Sequence, residues 1–396
     1  MNRSRGGGLL SSIRVADFTT NLAGPYGTRF LAMLGAEVIR IEHGKRLDVL
    51  RRRSESDFNA TNLGKMSITL DLKSAKGQEL VRKLIEVSEV VVESFRPGVM
   101  VELGLGYDAI RTWKPDIVMV SLSGFGATGP EKNFASWASI FAAMSGASYM
   151  TGYPDSIPTE FRGSFDTRAG QMVALAVMVG LLHRKRTGHG QHMDISAIES
   201  QICSLGEVVM DYTLNGRIPE RMGNRDAVMA PHNCYRCRGE DCWVSIAVGH
   251  DEEWKDFCIA MGKPELLDDE RFKDPLSRWK NQERLDEIVT SWTRNHTDYE
   301  VMEILQKAKV AAMPVLSAPE IFRDPHLCHR EFIREADHPQ LGKRLLFGPP
   351  WHLSGDPSNV LGRGPSLGEH NDYVFCELLG LTPEALTRLK EEKVIT

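Results

Sequence analysis

The sequence predicts an α/β protein: a large domain built on a doubly wound parallel sheet, followed by a smaller α+β domain. Two observations carry that reading. From Ile13 onward, short apolar runs alternate strictly with helix-period stretches, the pattern of parallel strands joined by crossover helices. Around residues 213–230 the alternation breaks, and paired strands followed by helices replace it. With 396 residues, 42% of them hydrophobic and 26% charged, the chain can bury sizeable cores in two or three domains. The expected division is a large domain over 1–212, a linker over 213–230, a small α+β domain over 231–325, and a return over 326–396 that packs on the large domain.

IRVADFT (13–19) reads as the first strand, GPYGTRFLAMLG (24–35) as a helix opening on small residues, and EVIRIE (37–42) as the second strand. SITLDL (67–72) follows as a strand, then SAKGQELVRKLIEVS (74–88) as a helix with Ser74 as its candidate cap, then the strands EVVVESF (89–95) and IVMVSLSGFG (117–126). Residues 173–182 are apolar on all sides. That predicts a helix buried on every face, and ten residues are too few to cross a bilayer. GQHMDISAIES (190–200) reads as a strand running into a helix. NCYRC and CWVSIAV pair as strands across the RGED turn, followed by helices over 251–262 and 298–308. Two more strand-like runs and a final helix, PEALTRLKEEK (383–393), complete the chain.

A net charge of −5 with 48 basic residues excludes a global basic field, so nucleic acid is not expected as a partner and any phosphate must meet a local patch. Seven cysteines, an odd number without a regular framework, point to reduced thiols and a cytoplasmic location. MNRSRGGGLL lacks an apolar core of signal-peptide length, and no membrane association is expected. Cys234, Cys237, Cys242 and His232 fall within eleven residues spanning a tight hairpin, whereas zinc sites usually show two separated ligand pairs. The expectation is free thiols and no metal.

In open α/β sheets, ligands sit beyond the carboxyl ends of the strands. Those ends carry Asn21, Leu22 and Ala23 after the first strand, His43, Lys45 and Arg46 after the second with Arg51–Arg53 close by, and Ser94, Phe95 and Arg96 after the fourth. One edge is therefore basic with an aromatic beside it, suited to a nucleotide carrying several phosphates. For any single arginine of the run, a solvated face is the plainer explanation. Glu42 stands where a ribose-binding acid would lie, but the first turn offers Gly24 and Gly27 without GxGxxG, which weakens a dinucleotide reading. Asp166 falls at or near the start of the apolar helix, where free amides and the helix dipole favour an anion. Taken locally, a simple N-cap is the plainer explanation of that pattern than a catalytic carboxylate.

The segments IRVADFTTNLAGPYGTRFLAMLGAEVIRIE, SFRPGVMVELGLGYDAI, SLSGFGATGP, GSFDTRAG, HRKRTGHGQHMDIS, RMGNR and PVLSAPEIFRDPH, in this order, resemble the family III CoA-transferases, to which the α-methylacyl-CoA racemases are related. The resemblance implies a coenzyme A site at Asn21, Leu22, His43, Arg51, Leu70, Ser94, Phe95 and Arg96, with Asp166 as a catalytic nucleophile. It implies CoA transfer from a donor such as succinyl-CoA or acetyl-CoA to an organic acid, with CoA as substrate and no permanently bound cofactor. It also implies an interlocked, ring-like dimer, either a homodimer or a heteromer with a paralogous subunit. Trp137 stands where the racemases carry a histidine, which favours transferase over racemase. A non-catalytic CoA-binding partner subunit is the other alternative. Arg162 is a candidate partner for the second carboxylate of a dicarboxylic acid, and Trp137 and Tyr153 are candidate contacts to an aromatic one. His43, Leu47 and Glu102 depart from the family pattern, and the usual glycine-rich shielding loop has no counterpart, so residues 222–232 or a partner chain are expected to cover the site.

Overall fold

The computed structural model describes residues 8–160, 163–354 and 362–396. Two compact units emerge from it: Met1–Ser148, Glu160–Ile218 and Pro325–Thr396 form the larger, and Tyr149–Thr159 with Pro219–Asp324 the smaller. The larger unit therefore takes in the C-terminal stretch, while the segment 149–159 leaves it for the smaller unit.

Six strands build the sheet of the larger unit: β1 (Arg14–Phe18), β2 (Glu37–Glu42), β3 (Met66–Thr69), β4 (Val90–Glu93), β5 (Val118–Ser123) and β6 (Gln191–Ser196). Their order is β3-β2-β1-β4-β5-β6, and every pairing is parallel. Strands covered on both faces are buried at every position rather than at alternate ones, and RVADF and VVVE are buried throughout, with Arg14, Asp17 and Glu93 as the charged residues among them. Successive residues then serve opposite cores. Ala16, Phe18, Ile39 and Ile68 face the Ala75–Glu86 helix and the C-terminal Val374, Phe375 and Leu386; Val15, Val38, Val90 and Val118 face the Ala23–Met33 and Ser164–Thr187 helices. Ser74 caps the Ala75–Glu86 helix by accepting from the Gly77 N–H at 3.0 Å.

Two glycines set how closely the Ala23–Met33 and Ser164–Thr187 helices approach. A Cβ on Gly27 would lie 2.4 Å from the Gly170 carbonyl oxygen, and one on Gly170 2.5 Å from that of Ala23. The Ser164–Thr187 helix corrects the reading of residues 173–182 in two respects. It is 24 residues long, and by length and composition it could cross a membrane. It is also buried on one face only: Val173, Val177 and Gly180 pack inward, while Leu175 and Val179 are half exposed. Its inward face packs on β5, β6 and the Ala23–Met33 helix, as the core helix of a globular unit does.

In the smaller unit, β7 (His232–Arg236), β8 (Trp243–Ala247) and β9 (Ala311–Pro314) form an antiparallel sheet in that order. The Asp251–Ala260, Gln282–Thr293 and Asp298–Lys307 helices close over it through Trp254, Phe257, Leu285 and Val301. A last hairpin, β10 (Ile333–His338) and β11 (Gly342–Phe347), belongs to the larger unit.

Candidate active site

The strand order reverses between β1 and β4, so the loops leaving their carboxyl ends part and open a crevice. One hydrogen bond ties the two loops at its base, from the Thr20 N–H to Ser94 Oγ at 2.8 Å. Asp48 braces the first loop, accepting from the Asn21 N–H at 2.9 Å, the Leu50 N–H at 2.7 Å and Arg40 Nη2 at 2.7 Å. Asn21 itself sits in the left-handed region at φ 63°, a conformation costly for most side chains and milder for asparagine.

Beneath this loop lies a fully buried ion pair. Lys65 Nζ donates to Asp17 Oδ2 at 3.1 Å, Thr28 Oγ1 at 2.7 Å, Asn62 Oδ1 at 2.9 Å and the Pro25 carbonyl at 2.9 Å. Burial brings the Lys65 ammonium down to about 8, against the pull of Asp17. Burial would raise Asp17, but Lys65, Arg40 and hydrogen bonds from Thr19 and Thr28 together hold it below the usual carboxylate value. Neither Asp17 nor Lys65 was singled out from sequence. They stand 48 residues apart, and no local pattern announces their meeting.

Two adjoining hollows make up the cleft. One, of about 400 Å³, is lined by His43, Arg46 and Lys73 at its rim and by Leu70, Leu72 and Leu103 within. The other, of about 250 Å³, holds Asp166 with Ala23, Gly24, Leu122, Phe141 and Ala197 around it. Thr20, Asn21 and Phe95 line both, so the two hollows share a wall. A Cβ on Gly24 would lie 2.6 Å from Thr19 Cβ, which is why the helix can start so close to the loop.

Asp166 lies in the first turn of the Ser164–Thr187 helix, but it does not cap it. Gly163 is the N-cap, at φ 80°, and the Asp166 carboxylate has no hydrogen-bond partner among the described residues. Burial, and then the nearby Glu160 carboxylate, raise its pKa above the ordinary aspartate value, opposite to what the helix end alone would do. A desolvated carboxylate without donors is a stronger nucleophile than a solvated one.

The structure gathers most of the sequence-predicted residues. Ser94, Phe95, Arg96, Asn21 and Trp137 line the hollow of Asp166; His43 and Leu70 join Asn21 and Phe95 in the larger one. Leu22 is the N-cap of the Ala23–Met33 helix and lines neither. Arg51 also lines neither, and for a definite reason: Nε and Nη2 bind Glu42 at 3.0 and 2.9 Å, Nη1 binds Glu55, and the guanidinium stacks 3.5 Å from the Phe58 ring centroid. The same pairing engages Glu42 inside the protein rather than at a ribose. Tyr153 belongs to the smaller unit, where its hydroxyl accepts from Asn224 Nδ2 at 2.9 Å, and residues 222–232 belong there too. Arg162 lies outside the described residues. Among those described, no group of three His, Cys, Asp or Glu side chains is placed to hold a metal.

One further support escaped the sequence. Glu93 Oε2 accepts from the Phe95 N–H at 2.7 Å, and Ser121 Oγ is 2.9 Å from His192 Nε2, whose ring stacks on Tyr107. Burial raises the Glu93 carboxyl, with bonds from Ser121 and Phe95 opposing, and burial lowers His192. The cluster fixes the backbone that carries Phe95 and Arg96.

Residues 10–371 match CoA-transferase family III. The chain is 35% identical to succinyl-CoA–D-citramalate CoA-transferase of Chloroflexus aurantiacus, over 98% of each chain. It is 32% identical to the alpha subunit of succinyl-CoA–L-malate CoA-transferase of the same organism, over 98% of this chain and 92% of that one. The crystal structure of a CAIB/BAIF family protein from Brucella suis superimposes with a TM-score of 0.84 at 30% identity, covering 92% of this chain and 98% of that one.

Proposed function

The chain belongs to CoA-transferase family III, and from that premise we propose that it moves CoA from succinyl-CoA to a dicarboxylic acid through a covalent intermediate on Asp166. The observation that carries the reading is the cleft itself. The Asp166 carboxylate stands in a small, partly apolar hollow that shares Thr20, Asn21 and Phe95 with a larger one, whose lining carries Arg46 and Lys73 beside Asp71. The 3′,5′-ADP part of CoA suits the larger hollow, its phosphates near Arg46, Lys73 and His43. The thioester then reaches Asp166.

The Asp166 carboxylate attacks the thioester carbonyl, the C–S bond breaks, and a mixed anhydride forms with release of the CoA thiolate. The thiolate attacks the aspartyl carbonyl of the anhydride, forming an aspartyl-CoA thioester and freeing succinate. The acceptor carboxylate attacks that thioester, again releasing thiolate, and the thiolate attacks the acceptor's carbonyl in the second anhydride. The new acyl-CoA departs and Asp166 returns as a carboxylate. Both anhydride and thioester hydrolyse in water, which is why the apolar lining at Leu122, Phe141 and Ala23 matters. Trp137 forms part of this wall and no histidine does among the described lining residues, so the histidine expected of a racemase is not beside Asp166.

Succinyl-CoA and a dicarboxylic acceptor are the choice because both relatives are named for that pairing. A dimer fits the exposed apolar faces of the larger unit: Leu175, Met178, Val179 and Leu182 on one helix, Val209, Met210 and Leu214 on the Gly206–Asn215 helix. A homodimer is the first reading, and the subunit name of the malate relative makes a heteromer the second.

The test is to incubate the protein with succinyl-CoA, quench with hydroxylamine or borohydride, and locate the modification by mass spectrometry. A label on Asp166 supports the mechanism; turnover with the label elsewhere removes it.

A further inference from the structure

The cations of the cleft fall into two groups. Arg40, Arg46 and Lys73 line the larger hollow, whereas Arg96 and Lys132 line the hollow of Asp166. Among the described residues that line this second hollow, Asp166 is the sole acid, and the nearby Glu160 carboxylate is the other negative charge that acts on it, so with Asp166 ionised the two cations balance the two acids. Once Asp166 becomes an uncharged aspartyl thioester, one positive charge is left in excess. Neither the Arg96 nor the Lys132 side chain has a hydrogen-bond or ion-pair partner among the described residues. Of the cations in the larger hollow, Arg40 is committed to Asp48, whereas Arg46 and Lys73 are likewise without a side-chain partner among the described residues and are left to the nucleotide phosphates. Two exposed cations without partners among the described residues therefore line the hollow of the reacting group.

Their anion is not a nucleotide phosphate if the phosphates occupy the larger hollow. Nor does the reacting carboxylate of the acid call for both, because that group is consumed at Asp166. A dicarboxylate brings a second charge that stays intact throughout the transfer. Arg96 arises from the turn after β4, which is fixed by Glu93, and it also lines a neighbouring hollow of about 120 Å³ beside His192 and Asp194. Lys132 arises from the loop after β5 and lines the hollow together with the apolar Phe134 and Trp137, all three exposed at its mouth.

Resting on the proposed transferase reading, we infer that Lys132 is the specificity-determining residue for the acid, binding the distal carboxylate of a dicarboxylic substrate while the proximal one reacts at Asp166. The residue stands out in the structure, not in the sequence, where Lys132 is one charge in a polar loop.

A competition experiment isolates this role. Succinyl-CoA is given with equimolar glutarate and pentanoate, which have the same chain length, and the ratio of glutaryl-CoA to pentanoyl-CoA formed is measured. Damage to the donor half-reaction, or to folding, cancels in the ratio. Lys132→Met is expected to lower it about tenfold, the effect of one charge-assisted hydrogen bond partly screened by solvent, and Lys132→Arg to restore most of it. As a readout independent of turnover, the preference for binding succinyl-CoA over butyryl-CoA is measured in an Asp166→Asn background, where Lys132→Met is expected to reduce it to a similar degree. A ratio and a binding preference both unchanged within twofold overturn the inference, as does a loss seen with Arg96→Met and not with Lys132→Met. Failure of the wild-type protein to transfer CoA to either acid would instead count against the transferase reading, and the binding preference would still decide the role of Lys132.

Discussion

Asp17 and Asp166 are two carboxylates of the larger unit, each near the point where the crevice opens, and the fold treats them in opposite ways. Asp17 is fully enclosed and receives Lys65, Thr28 and Thr19 at 2.5 to 3.1 Å, and its pKa is held down. Asp166 is half-buried and receives nothing among the described residues, and its pKa is pushed up. The first is a structural anion whose charge is neutralised by its setting. The second is a reactive anion kept free of donors, at some expense in stability.

The largest expected effect falls on turnover. Asp166→Asn removes the nucleophile, and CoA exchange should drop by roughly 10⁴ or more. Binding of CoA should survive, because the residues lining the larger hollow are untouched. A variant retaining exchange within tenfold of wild type, followed by mass detection of the product thioester, would break the assignment of Asp166.

Asp17→Asn has the next largest effect, and on a different quantity. It leaves the buried Lys65 ammonium without its counter-charge, and stripping one partner from such a pair costs about 3–5 kcal/mol. Denaturant unfolding of the two variants side by side makes the comparison direct: the Asp17 variant should lose stability sharply, the Asp166 variant should not. Equal losses would erase the distinction drawn between the two sites.

How much of this was legible beforehand depended on how local each cause is. Strands β1, β2, β4 and β5 announce themselves because a doubly covered parallel strand needs an apolar run. Strand β9, AAMP, is too short and too alanine-rich to do so, and its pairing with β8 is a tertiary fact. The Ser164–Thr187 helix showed only its apolar centre, and its exposed face reads identically to its buried one because both are apolar. Asp166, Ser94, Phe95, Arg96 and Trp137 converge as expected, since the ends of parallel strands and the helix start fall on one edge. Arg51 looked like a free cation in an arginine run, and only the meeting with Glu42 and Phe58 turns it inward. Long-range partners decide such cases, and they leave no periodicity to read.

A third way to probe the comparison alters the height of Asp166 without touching it. Gly170 lies one helical turn beyond Asp166, and its missing Cβ lets the helix seat against the Ala23 carbonyl. Gly170→Ala should overpack this contact, costing about 1–3 kcal/mol and lifting the helix start away from the crevice. Because misplacement by about 1 Å is enough to cost roughly 10² in rate, turnover should fall further than stability alone explains. Measured as kcat at a temperature where the variant is fully folded, an unchanged value would mean that the helix absorbs the strain away from Asp166.

The smallest expected effect, and the one that separates the two carboxylates most cleanly, is the sign of their pH dependence. Asp17 has a folded pKa below its unfolded one, so it contributes stability that is present above the unfolded value and is lost as pH falls through the folded one. Asp166 has a folded pKa above its unfolded one, so its ionised form opposes folding at neutral pH, and that opposition is relieved as pH falls through the raised value. The stability of wild type minus Asp166→Asn should therefore rise toward acid, and that of wild type minus Asp17→Asn should fall. The acid limb of kcat/KM should likewise stand above the ordinary aspartate range, because attack on the thioester requires the ionised carboxylate. Difference curves of the same sign for both residues would mean that Asp166 is held by donors after all, and a carboxylate so held would be a poor nucleophile for the chemistry proposed here.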